Sequence, residues 1–261
     1  MAPKRRAAAA ASASTEESKK FKSAIDSMAD EWLCPITTEL IFEPVIAEDG
    51  NVYEKTAIEE LIRVQGAGLK SPLTNLPMGP RLTPNNAARN TIEKLVRSGA
   101  VAGDKAERWL ERLSDEEMVK KTRAKAEGGD IGAIQDMADW YVDGLHGLAE
   151  DYSKHRSWAE KGAALDDVRC LAQFAWCLVN GKGGPRHKED GLVRMAEAAA
   201  LGSARAAFDL GDYYWEGAYG LLQDRPRAKR WYAKVARATE DDLPELYCEE
   251  AASRAAGGSR G

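Results

Sequence analysis

Four cysteines and three histidines are the residues of this chain of 261 that most often hold structural zinc. Between Asp26 and Val96 only Cys34 is of this kind, in the phrase Leu33-Cys34-Pro35-Ile36, while His146, His155 and His187 all lie downstream. A pair of zinc ions needs about eight Cys or His ligands at short spacing, more than the chain holds. Thiolate catalysis needs a neighbouring base, and no histidine lies in this segment. Cys34 is therefore expected to pack in a core, with no metal and no cofactor.

The remaining cysteines, Cys170, Cys177 and Cys248, are scattered, which disfavours a disulfide framework and suits a reducing compartment, cytoplasmic or nuclear. A net charge of −5 argues against nucleic-acid binding. No apolar run of about 18 residues offers a membrane span. Residues 1–25 read as a low-complexity tail, rich in alanine and basic residues, that buries too little to order. Its two basic clusters, Lys4-Arg5-Arg6 and Lys19-Lys20-Phe21-Lys22, read either as a solubilising tail or as a bipartite import signal.

The elements that must position Cys34 follow from turn chemistry and periodicity. Gly50-Asn51 between "PVIAE" and "VYEK" predicts a hairpin. "KTAIEELIRVQ" predicts a helix with Ile58, Leu61 and Ile62 on one side, closed by Gly66. A proline-punctuated loop then leads to a second helix, "AARNTIEKLVRS", capped by Asn85 or Asn86, with Ile92, Leu95 and Val96 on one side. The expected core is Leu33, Leu40, Val45, Tyr53, Ile58, Ile62, Leu82, Ile92 and Leu95. Each side chain, fully buried, contributes about 1.5–3 kcal/mol.

Past Gly99 proline nearly vanishes. "ERWLERLSDEEMVKKTRAKAE" predicts a helix with Trp109, Leu110, Leu113 and Met118 on its apolar face. A repeat follows: "MADWYVDG", "FAWCLVNG" and "LGDYYWEG" end at Gly144, Gly181 and Gly217, 37 and 36 residues apart. At the same offsets stand Trp158, Met195 and Trp231; Gly147, Gly184 and Gly220; and Ala163, Ala200 and Ala236. The acidic position is Asp151 and Asp224 in the outer units and Lys188 in the middle one. A period of this length, built as helix, glycine-rich loop and helix, indicates an α-solenoid. Residues 126–238 are similar to Sel-one-like repeats, a tetratricopeptide-type solenoid family. "ATEDDLPELYCEEAAS" is expected to add a capping helix beginning near Pro244.

The first half resembles a U-box, the domain family that keeps the RING shape without zinc. "LCPITTELIFEPVIAEDGNVYEKTAIEELI" and "SPLTNLPM…LTPNNAARNTIEKLV" carry the family's motifs in order over about 31–97. The resemblance implies hydrogen bonds and ion pairs in place of the zinc sites; Glu43, Glu48, Asp49, Thr74 and Asn85 are the candidates. It also implies a ubiquitin ligase that docks a ubiquitin-charged conjugating enzyme and works by positioning, without a covalent intermediate.

Matched motif to motif, Ile36 and Thr38 fall on the first docking loop, Leu61 on the exposed helix position, and Pro72 on the second loop. Asn75 stands where many family members carry the arginine that bridges conjugating enzyme and ubiquitin. Asparagine has fewer donors and no charge, which points to weaker activation.

The expected architecture is an α+β U-box followed by an all-α solenoid. It divides into a tail (1–25), a U-box (26–98), linking helices (99–125), three repeats (126–240), and a capping helix with a frayed end (241–261). The repeats would hold a protein substrate or scaffold, with Trp140, Trp176, Tyr213 and Trp215 as candidate contacts or as core. Two other readings stay open: a non-catalytic adaptor and a nuclear RNA-processing scaffold. Pairing of two copies through the U-box is also open.

Overall fold

A computed structural model describes residues 30–235 and 245–256. The tail with its basic clusters, Ala236 and Pro244 fall outside the described residues. The chain divides into two compact units, with the boundary between Ser114 and Asp115.

In the first unit β1 (Pro44–Ile46) and β2 (Val52–Glu54) pair antiparallel with Val45 opposite Tyr53. The hairpin turns at Gly50, whose φ of 80° is open to glycine. β3 (Thr83–Pro84) adds to the other edge of β1, so the sheet order is β2-β1-β3. α1 (Lys55–Gln65) follows β2 directly and stops at Gly66. α2 (Asn86–Arg97) is capped by Asn85, whose side-chain oxygen accepts the Ala88 N–H.

The core of this unit holds Leu40, Val45, Tyr53, Ile58 and Ile92, as expected. Leu33, Ile62, Leu82 and Leu95 are only half-buried against it. Much of its bulk comes from α3 (Asp104–Glu127), through Ala106, Trp109 and Leu113. The spacing of those three selects a face that leaves Leu110 and Met118 exposed, contrary to expectation.

The second unit is a series of antiparallel helix pairs: α4 (Ile131–Asp143) with α5 (Tyr152–Ala163), α6 (Val168–Asn180) with α7 (Lys188–Ala200), and α8 (Ala204–Glu216) with α9 (Arg225–Val235). α10 (Glu245–Ala256) packs on α9. The first helix of each pair is capped by Asp130, Asp167 or Ser203 and closed by left-handed Gly144, Gly181 or Gly217. This helical-repeat solenoid follows a U-box-like α+β unit, the order of classes anticipated from sequence.

The middle unit corrects the expected register. The N–H groups of Asp151, His187 and Asp224 donate to the equivalent carbonyls of Tyr141, Leu178 and Tyr214, so His187, not Lys188, holds the acidic position. His187 makes no side-chain cap, whereas Asp151 and Asp224 do. The loop after Gly181 is one residue short: it lacks the left-handed residue that is His146 in the first unit and Tyr219 in the third. Gly183 rather than Gly184 therefore takes the positive φ of Gly147 and Gly220. Counted from the caps, Met195 stands with Ala159 and Tyr232, all three fully buried, instead of with Trp158 and Trp231. Ala199 likewise replaces the exposed Ala200 beside Ala163.

Candidate functional site

Two six-residue loops of the first unit share one backbone design. In Cys34–Glu39 the Cys34 N–H donates to the Glu39 carbonyl and the Thr38 N–H to the Cys34 carbonyl, both at 2.8 Å. In Ser71–Leu76 the Ser71 N–H donates to the Leu76 carbonyl and the Asn75 N–H to the Ser71 carbonyl, both at 2.9 Å. Thr38 and Asn75 are both left-handed, at φ 59° and 57°. Pro35 thus corresponds to Pro72, and Ile36 to Leu73. Asparagine tolerates this conformation; a β-branched threonine is strained in it, and Thr38 is held there in part by its hydroxyl donating to the Thr37 carbonyl at 2.7 Å.

A buried carboxylate fastens the segment that follows the first loop to the hairpin. Glu54, 5% exposed, accepts the Phe42 N–H at 2.6 Å and the Glu43 N–H at 3.1 Å, and its other oxygen accepts from Arg112 at 2.9 Å. The Cys34 sulfur accepts the Glu54 N–H at 3.3 Å, which gives this thiol a structural part. Arg112 also lies over the Phe42 ring, 4.3 Å from its centroid. Arg108 forks onto Glu39 at the end of the loop, an exposed pair worth little energy by itself.

Asp49 fastens the second loop. It accepts from the Ser71 hydroxyl at 2.5 Å, the Tyr53 hydroxyl at 2.7 Å and the Asn51 N–H at 3.0 Å. Ser71 Oγ in turn accepts the N–H groups of Leu73 and Thr74. Burial alone raises the Asp49 carboxyl, but the bonds from Ser71, Asn51 and Tyr53 outweigh it and hold the group below the usual carboxylate range. Burial and then the Asp49 bond push Tyr53 up to about 12. Glu48 accepts from Gly79 and Arg81 N–H groups further along.

Of the residues expected to replace metal, Asp49 and Glu48 do bind across to other segments. Asn85 caps a helix and Thr74 closes a local turn to Leu76. Glu43 contributes its backbone N–H to Glu54. Sequence reasoning missed Glu54, Ser71 and Arg112, whose partners are remote in the chain. It also missed Leu73, although the likeness of "CPITT" to "SPLTN" was there to be read.

Ile36, Thr38, Pro72 and Asn75 are exposed on the two loops, and Leu61 is half-buried on α1 against the core. Ile36 is 36% exposed and Leu73 54%. The arrangement offers exposed apolar tips on loops closed by backbone hydrogen bonds.

Residues 28–99 match the U-box domain family. The chain carries a U-box. This U-box is 43% identical over 77 residues to WD repeat, SAM and U-box domain-containing protein 1 of Danio rerio, and 43% over 76 residues to that of Homo sapiens. Each match takes in 29% of this chain and 15% or 16% of the relative, so the chain spans about a sixth of their length. U-box domain-containing protein 43 of Arabidopsis thaliana is 33% identical over 86 residues, 31% of this chain and 11% of that protein. Among solved structures, a Sel1 repeat protein from Oxalobacter formigenes is 27% identical over 45% of this chain and 88% of its own, with a TM-score of 0.41. A protective antigen of uropathogenic Escherichia coli displaying an SLR fold is 21% identical over 68% of this chain and 35% of its own, with a TM-score of 0.42.

In the second unit Trp140 and Trp176 both line one cleft of about 610 Å³. Tyr213 is buried against Tyr219, and Trp215 packs near Tyr232 under Arg225, so neither lines the cleft. Burial pushes the Cys170 and Cys177 thiols up, which disfavours the reactive thiolate. Among the described residues no helix is long and apolar enough to cross a membrane.

Proposed function

We propose that the protein is a RING-type ubiquitin ligase. Its U-box docks a ubiquitin-charged conjugating enzyme, and its helical repeats hold a protein substrate or scaffold. The matched loops carry this reading: each presents an exposed aliphatic tip, Ile36 or Leu73, on a backbone closed by the same pair of hydrogen bonds. Stiff loops lose little entropy on docking, and the small apolar area suits a partner that must leave after each transfer. Ile36, Thr38, Leu61 and Pro72 make the contact with the conjugating enzyme, and Asn75 reaches toward ubiquitin.

The reaction joins a substrate lysine amine to the ubiquitin carboxyl, with the conjugating-enzyme thiolate leaving. The ligase contributes orientation. Autoubiquitination across a panel of conjugating enzymes tests this. Activity is expected with at least one of them and is expected to fall at least tenfold in Ile36→Ala and Pro72→Ala at unchanged melting temperature. Asn75 favours a second reading, a non-catalytic adaptor. Silence across the panel, with conjugating-enzyme binding retained, would select the adaptor.

A further inference from the structure

The first helices of the three repeats place Asp136, Gln173 and Asp209 at one register, 37 and 36 residues apart, and all three line the cleft that holds Trp140 and Trp176. Four aspartates line it against two arginines, and both arginines are engaged. Arg169 donates to Asp139 at 2.8 Å, and Arg205 reaches Asp209 at 3.4 Å.

The side-chain N–H of Gln173 donates to the other Asp139 oxygen at 2.7 Å. This fixes the amide orientation and leaves Gln173 Oε1 buried without a partner. His155 also lines the cleft, with its Nδ1 held by the Ala138 carbonyl at 2.9 Å. The cleft therefore has one unpartnered acceptor in its wall, more carboxylates than guanidinium groups, and two partly buried indoles. An acidic ligand would meet the carboxylates. An apolar one would strip water from acceptors it cannot satisfy.

We infer that this cleft binds an extended, arginine-bearing peptide segment of a partner protein, a reading that rests on the repeats being the partner-binding half. One acceptor per repeat at constant register fits a linear chain laid across the helices. Guanidinium groups supply planar donors for Gln173 Oε1 and the carboxylates, and they stack on Trp140 and Trp176.

The test is fluorescence polarisation of the full chain with a labelled 12-residue Arg-Gly-Ser repeat peptide and its Glu-Gly-Ser counterpart. The arginine peptide is expected to bind saturably, at least tenfold tighter than the glutamate peptide. The double substitution Asp136→Lys with Asp143→Lys, at the exposed rim of the cleft, is expected to weaken it at least tenfold. Glu160→Lys with Glu197→Lys makes the same charge change on exposed positions of α5 and α7 and is expected to leave it within twofold. Equal binding of the two peptides, or equal weakening by the two double variants, overturns the proposal. Autoubiquitination of the same samples separates the readings: its loss with peptide binding intact strikes only the ligase, and the converse strikes only the cleft.

Discussion

The Trp109 indole N–H donates to the Ile41 carbonyl oxygen at 3.1 Å, and its ring meets Phe42 edge-on at a centroid distance of 5.2 Å. Trp109 lies beyond Gly99, where the family match ends, yet it is 2% exposed and among the largest fully buried side chains. The start of α3 thus completes the U-box core.

A fragment of residues 26–99 is therefore expected to lack a cooperative melting transition, and one of residues 26–114 to show it. In the longer fragment Trp109→Ala is expected to cost about 3–5 kcal/mol in guanidinium unfolding, from the cavity and the orphaned Ile41 carbonyl. A cooperative 26–99 fragment as stable as 26–114 would refute this.

The second loop should be acid-sensitive. The folded Asp49 carboxyl lies below its ordinary value of 3.8, so its contribution to stability is present above that pH and is lost as pH falls through the folded value. Amide signals of Leu73 and Thr74, which bond to Ser71 Oγ, are expected to broaden or shift as pH drops below about 4. In Asp49→Asn they should already be displaced at pH 7 and show little further change. Signals that stay unmoved in the parent protein until it unfolds in acid would count against this fastening.

Thr38 and Asn75 hold the same left-handed backbone with unequal comfort. Thr38→Asn is expected to raise stability by about 0.5–1 kcal/mol, read from denaturant midpoints, because asparagine relieves β-branched strain there. Asn75→Arg is expected to lower stability slightly, since it gives up a residue suited to positive φ. It should raise discharge of ubiquitin from a charged conjugating enzyme severalfold, through added donors and charge. No gain in discharge would remove Asn75 from the proposed bridge.

Asp209 responds to pH in the opposite sense. Burial, only partly offset by Arg205, pushes its carboxyl up to about 6, with Asp212 adding to the rise. Arg169, Asp139 and Gln173 line the same cleft from the neighbouring helices. A raised value means that stability is full below about 4 and falls as pH rises through about 6. Asp209→Asn is thus expected to raise the melting temperature at pH 7.5, by the equivalent of about 2–3 kcal/mol, and to leave it nearly unchanged at pH 4. An equal effect at both pH values would show that the carboxyl is not displaced.

The amino-acid sequence by itself determined the local elements. Gly50-Asn51 sets the hairpin, periodicity and Gly66 bound α1, an asparagine at 85 or 86 starts α2, and recurring glycines mark the repeat, because turn conformation and helix capping depend on residues a few positions apart. The count of cysteine and histidine likewise argues against a pair of zinc sites. Only the tertiary structure decided that Trp109 belongs to the U-box core, that Glu54 ties down the segment after the first loop and Asp49 the second loop, that a one-residue gap puts Met195 at the position of Ala159 and Tyr232, and that Trp140 and Trp176 share a cleft from which Tyr213 and Trp215 are excluded. Those outcomes depend on which faces meet and which buried donors find acceptors across long stretches of chain, and that competition is settled by packing.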